Sequence, residues 1–223
     1  MRHILKRIRE SFSLNTGLKN HLTILTTLAL NLGATRVKPI KVCNIVVDER
    51  VRLKCTVPLC IYYGKNLMCP PNVMEVEEFK KLMAKYTYAI LIQFEKSFSE
   101  EMLKIIDEHE NLETLFLNDK FDECFKKSLS PALSILDEII SRVEAKAFML
   151  GHKIAVGYNV GPCVLCDECI DVHTSEPCRH PYKARTSMEA MGINVFETAK
   201  KIGFEFEQPA KNIAVFNGLV LVE

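Results

Sequence analysis

Cys163, Cys166, Cys169 and Cys178 stand as Cys-x2-Cys-x2-Cys-x8-Cys, introduced by Gly161-Pro162 and followed by Arg179-His180-Pro181. Thiols spaced so closely cannot pair with one another without strain, but a tight turn can aim three of them at one centre while the fourth returns from a short excursion. Iron–sulfur clusters are wrapped in this way. A structural zinc site more often draws on two separate Cys-x2-Cys knuckles, so the third closely spaced cysteine favours a cube-shaped [4Fe-4S] cluster, with zinc as the alternative metal. The function of the chain is expected at this metal.

A second group, Cys55-x4-Cys60-x8-Cys69-Pro70-Pro71, contains Tyr62-Tyr63-Gly64 and follows Arg50-Val51-Arg52. Proline after a ligand pins the backbone and removes one N–H beside the crowded metal. Cys55, Cys60 and Cys69 are therefore candidate ligands of a second cluster, against the alternative of three buried structural thiols. Three ligands leave one iron unaccounted for. Cys43, on one strand face with Ile45 and Val47, reads as core, and Cys124 in Asp122-Glu123-Cys124-Phe125 is isolated. If neither coordinates, an open iron could bind substrate.

The chain has 223 residues, nine cysteines and a formal charge of +1 from 29 basic and 28 acidic side chains. Near-neutral balance argues against a nucleic-acid or anionic-lipid footprint. An odd cysteine count concentrated in two groups fits reduced thiols in the cytoplasm better than a disulfide framework. The start, Met1-Arg2-His3-Ile4-Leu5-Lys6-Arg7, is basic and residues 22–32 are apolar, but Asn15, Lys19, Asn20 and His21 intervene. Leu18, Leu22, Leu25 and Leu32 recur at helical spacing before Gly33, so residues 16–33 read as an amphipathic helix. No run reaches the ~20 apolar residues a bilayer span requires.

Further along, residues 36–47 and 86–94 read as strands, and a helix capped by Asn72 lies between them, acidic first and basic last. Ser97 with Glu100 suggests a capping box for a helix to residue 109, and 112–117 a short strand. Residues 131–150 form the clearest helix, capped by Ser130 with Pro131 in its first turn. Residues 152–158 read as a strand, Thr186 with Glu189 as a capping box, Gly192 as a break, and Asn194 as the cap of a continuation to residue 202. Ile213-Ala-Val-Phe, Asn217-Gly218 and Leu219-Val-Leu-Val carry a hairpin signal. The expected fold is a single α/β domain over 1–223, α+β being possible, with a mixed sheet, flanking helices and cysteine loops at 55–71 and 161–181.

Leu32-Gly33-Ala34, Ile45-Val46-Val47, Cys55, Cys60, Tyr63-Gly64 and Cys69-Pro70-Pro71 open a longer pattern. It continues in Gly161-Pro162-Cys163, Cys166, Cys169, Cys178-Arg179-His180-Pro181, Ala184-Arg185 and Ser187-Met188-Glu189-Ala190. Together these motifs resemble a widespread family of predicted metal-binding proteins of anaerobic bacteria and archaea that carries a domain of unknown function. The resemblance spans nearly the whole chain and implies a cytosolic iron–sulfur protein without supplying a reaction. Thr186, Met191 and Asn194 depart from it, standing where the family often has a proline, a further cysteine and an aspartate.

Arg179, His180, Lys183 and Arg185 crowd the last ligand and either favour the reduced, more negative cluster or form a solvated basic loop. Glu189 reads as a capping residue, and His152 and His173 as surface histidines. No nucleophile-elbow or phosphate-loop pattern is present. The expected function is electron transfer or another redox role with a protein partner. An enzyme with substrate on an open cluster iron and a zinc-stabilised interaction module are the alternatives.

Overall fold

The computed structural model describes residues 2–109, 118–204, 206, 210 and 212–223, the side chains of 2–15 and 122 excepted. The strand expected at 112–117 lies outside the described residues. Helix α1 (Arg2–Asn31) leads into β1 (Arg36–Lys41), a 3-10 turn Val42–Asn44, a second one Glu49–Arg52 and the single turn α2 (Leu53–Thr56). Then come α3 (Val76–Met83), β2 (Tyr88–Ser97), α4 (Glu100–Asp107), α5 (Asp119–Ser128) and α6 (Ser130–Met149). β3 (Val156–Tyr158), the 3-10 turn Glu189–Met191, α7 (Val195–Lys201) and β4 (Ile213–Val222) complete the order.

The α/β class with flanking helices is as expected, but the sheet is not mixed: β1-β2-β4-β3 pair antiparallel throughout. Pro39, which cannot donate to a ladder, sits on edge strand β1. The two central strands are apolar on both faces because both are covered. Ile90, Ile92, Val220 and Val222 pack with Leu22, Leu25 and Ala29 of α1 and Leu136, Ile140 and Val143 of α6. Ala89, Leu91, Leu219 and Leu221 face Phe79 and Met83 of α3, Met188, Met191 and Ile193, and Val195 and Ala199 of α7. A third cluster joins Met102, Ile105, Phe121, Cys124 and Leu129 to Ala214 at one end of the sheet.

The expected hairpin over 213–222 is instead one unbroken strand. Asn217 and Gly218 lie opposite Gln93 and Ile92, and Gln93 Nε2 donates to Asn217 Oδ1 at 3.1 Å. Gly218 is needed for close approach rather than for a turn. A Cβ there would stand 2.3 Å from Ile140 Cδ1 and 3.2 Å from the Tyr158 carbonyl. Gly218→Ala is therefore expected to cost about 1–3 kcal/mol by overpacking α6 against the sheet, measurable as a lower urea midpoint. An unchanged midpoint would mean that α6 shifts freely.

Several caps differ from expectation because tertiary partners compete for the same side chains. Ser99, not Ser97, accepts from Met102 N, since Ser97 still belongs to β2. Leu129 ends α5 and starts α6 at a one-residue joint, displacing Ser130 as the cap. Asn72 donates to the Asn66 carbonyl instead of capping α3, which starts after Glu75. Thr186 donates to the Met68 carbonyl, leaving Ser187 Oγ to accept from Ala190 N. Gly192, at φ +78°, ends that turn, and Asn194 caps α7 as read.

Candidate metal centre

The second cysteine group occupies a long loop leaving β3, and the first lies between β1 and α3, with Cys55 in the single turn α2 and Cys60 and Cys69 after it. Residues 159–187 follow β3 and contain no helix or strand of their own. Cys163, Cys166, Cys169 and Cys178 line one small cavity together with Asn66, Met68, Leu165 and His180. The His180 N–H donates to Cys178 Sγ at 3.3 Å, and burial raises the Cys163 thiol pKa although a Leu165 backbone hydrogen bond opposes it. Backbone donors aimed at sulfur are what a thiolate ligand requires of its surroundings. Among the described residues, no three His, Cys, Asp or Glu side chains converge closely enough to hold one ion.

The first group folds against the second. Cys60 N donates to the Cys55 carbonyl at 3.1 Å and Cys69 N to the Asn66 carbonyl at 3.1 Å. Burial pushes the Cys69 thiol up to about 12, with Cys60, Cys55, Cys163 and Cys169 adding to it, so Cys69 lies within electrostatic reach of both groups. Burial and then Cys60 raise Cys55 likewise. In metal-free protein, the raised Cys69 value contributes stability that is present below its ordinary 9.0 and is lost as pH climbs towards about 12. Alkaline unfolding followed by circular dichroism should show that slope, and Cys69→Ser should flatten it. For the same reason metal uptake releases protons and tightens with pH.

Asn66, which sequence reasoning missed, is the hinge between the groups. Its side chain donates to the Cys163 carbonyl at 3.0 Å and accepts from Met68 N at 2.8 Å, while its carbonyl receives Cys69 N. Only its place between Cys60 and Cys69 could have drawn attention to it. Beyond Asn66 the groups border a groove of about 700 Å³ carrying Ile61, Tyr62, Cys166, Cys169, Asp171 and His173 on its walls.

The basic residues divide. Arg185 is no free cation: it grips Glu144 of α6 through Nη2–Oε1 at 2.6 Å and Nε–Oε2 at 2.9 Å, with its side chain only 10% exposed. Glu144 also receives the Gly157 N–H, so this unforeseen carboxylate clamps both ends of the second loop to α6. Arg179 donates to the Glu168 carbonyl at 2.8 Å, closing the turn of Cys178 onto that of Cys169. Lys183 N donates to the His180 carbonyl at 3.0 Å.

Cys43 is exposed on a 3-10 turn rather than on a strand face in the core, and Cys124 is buried in α5. Neither borders the cavity or the groove. His173 is exposed, whereas His152 is buried: its Nε2 meets His21 Nδ1 at 3.1 Å and its Nδ1 meets the Glu223 carbonyl. His21 of α1 and the Ala147 carbonyl of α6, which accepts the His152 N–H at 3.0 Å, hold it inside.

Two cysteine loops folded against one another, with four of the thiols on one cavity, are an arrangement suited to a metal-binding domain. The chain belongs to the DUF2284 family, described as predicted metal-binding proteins, whose model matches residues 38–222 and so takes in both cysteine groups while leaving α1 outside. No curated protein and no solved structure matches the chain. No described helix is long and apolar enough to cross a membrane.

Proposed function

We propose that this chain is an iron–sulfur protein with a redox role, holding one [4Fe-4S] cluster on Cys163, Cys166, Cys169 and Cys178 and a second on Cys55, Cys60 and Cys69. The observation that carries this reading is the gathering of four cysteines around one cavity, with the second group adjoining through Asn66. The donor set is all sulfur, which suits iron–sulfur clusters and zinc and disfavours hard cations. A cluster would supply one-electron storage, and the chain's own residues set its stability and potential.

The His180 N–H spreads charge from Cys178, and Met68, Leu165 and Ala184 keep the cavity partly apolar. Adjacent centres favour electron exchange within the protein. The exposed side chains of Val57, Leu59, Ile61 and Val164 near both loops would seat a redox protein partner. Cysteines kept as thiols for metal binding would suit a cytoplasmic setting.

Anaerobically prepared protein is expected to be brown, with iron and acid-labile sulfide in comparable amounts, about eight irons per chain for two cubanes. Stoichiometric zinc without sulfide would replace this reading by a structural zinc module. The two arginines make a second test. Arg179→Gln is expected to lower the potential of the four-cysteine cluster by roughly tens of millivolts, the scale of a screened unit charge worth about 1 kcal/mol. The pairing of Arg185 with Glu144 leaves it little net charge to contribute. A potentiometric titration with no shift in Arg179→Gln would assign Arg179 to holding the Glu168 turn alone.

A further inference from the structure

The three-cysteine group lacks a fourth thiol, and a turn that carries a carboxylate packs beside its loop. Glu189 opens the 3-10 turn Glu189–Met191, which packs on the turn Glu49–Arg52 directly ahead of Cys55. Two backbone bonds fasten these segments together, Asp48 N to the Gly192 carbonyl and Asn194 N to the Val46 carbonyl, both at 2.8 Å. A bridge between Val47 and Ile193 lies between them. Gly192 follows so closely on Val76 that a Cβ would stand 2.7 Å from Val76 Cγ1. The turn is thus fixed in place beside the first cysteine loop.

The carboxylate is buried although the residue as a whole is half-buried, and its Oε2 has no hydrogen-bond partner. Burial raises the Glu189 carboxyl pKa, against the smaller opposing effects of its own backbone N–H, the Ser187 hydroxyl and Lys54. The raised Cys55 thiol, which owes most to burial and then to Cys60, also feels the charge of Glu189. A buried carboxylate oxygen left without a donor is costly and calls for a partner. A helix cap does not account for it, because the cap of this turn is Ser187, which accepts from Ala190 N.

We infer that Glu189 is the fourth ligand of the metal centre on Cys55, Cys60 and Cys69, its free Oε2 occupying the iron position that the three cysteines leave open. This inference rests on the two-cluster reading above. An oxygen ligand is harder than thiolate and is held less tightly by a cluster iron, so the position is closed at rest and exchangeable. Exogenous ligands must displace the carboxylate to bind there.

The test is a cyanide titration of anaerobically prepared protein followed by electron paramagnetic resonance, with iron and sulfide determined on the same samples. Glu189→Gln, which keeps shape and removes charge, is expected to bind cyanide at least tenfold more tightly than the unaltered chain, with the signal of the four-cysteine cluster unchanged in both. Equal cyanide affinity in the two proteins, each with both clusters present, would overturn the inference and leave the two-cluster reading standing.

If Cys55→Ser retains all the iron, the first group holds no cluster and both fall. Should Glu189→Gln fail to fold, Glu189→Cys decides. A fourth thiolate is expected to abolish cyanide binding and to prevent the one-iron loss that ferricyanide otherwise causes at this centre, and no change in either would overturn the inference.

Discussion

Cys166→Ser is expected to lose about half of the iron and sulfide and to melt at a markedly lower temperature than the unaltered chain. The reason lies in the second loop. Residues 159–187 have no helix or strand, and their local backbone bonds are isolated turns such as Thr174 N to the Asp171 carbonyl and Ala184 N to the His180 carbonyl. Ordering each residue costs about 1–2 kcal/mol of backbone entropy, which such turns cannot offset alone.

The expected compensation is metal ligation by four thiolates around the cavity, so metal binding and folding of the loop are one event. Cys124→Ser is the control: its thiol packs among Met102, Ile105 and Phe121, so the variant should lose about 1–3 kcal/mol of stability and no iron. Cys43→Ser, at an exposed position, should change neither. Full iron content in Cys166→Ser, measured anaerobically, would strike that residue from the ligand set.

The gathering of Cys163, Cys166, Cys169 and Cys178 around one cavity was legible because their spacing is local: a tight loop brings neighbours in sequence together. Helices with a long apolar stripe were legible for the same reason, as Leu136, Ile140, Val143 and Ala147 of α6 show. The hairpin reading failed because Asn-Gly signals a turn only where the chain is free to reverse, and here the flanking strand is buried on both faces. Side chains such as Thr186 and Asn72 were misread as caps because each bonds a carbonyl of the first cysteine loop, which local pattern does not reveal. Asn66 and Glu144 were invisible for a related reason: their partners, Cys163 and Arg185, lie 97 and 41 positions away.

Glu144 supports the other large effect. It joins three pieces: α6, the start of β3 through Gly157 N, and the end of the second cysteine loop through Arg185. Its side chain is 21% exposed and that of Arg185 10%, so the pair is largely withdrawn from water. Removing one member leaves the other charge buried without compensation, which costs about 3–5 kcal/mol for a fully buried pair and somewhat less here. Glu144→Ala is therefore expected to lose about 3 kcal/mol, a fall in melting temperature of roughly 6–12 °C for a chain of this size.

Glu138→Ala provides the contrast on the same helix. Glu138 meets Arg142 only at 3.9 Å, with side chains 58% and 57% exposed, and the change should stay within about 0.5 kcal/mol. Glu144→Ala should also release iron to a chelator faster, since Arg185 no longer holds the segment after Cys178 against α6. The cysteines themselves are untouched in that variant, so faster release with unchanged initial iron content assigns Glu144 to holding the loop rather than the metal. A variant that melts with the unaltered chain would show that the loop's own turns and its ligands suffice to position it.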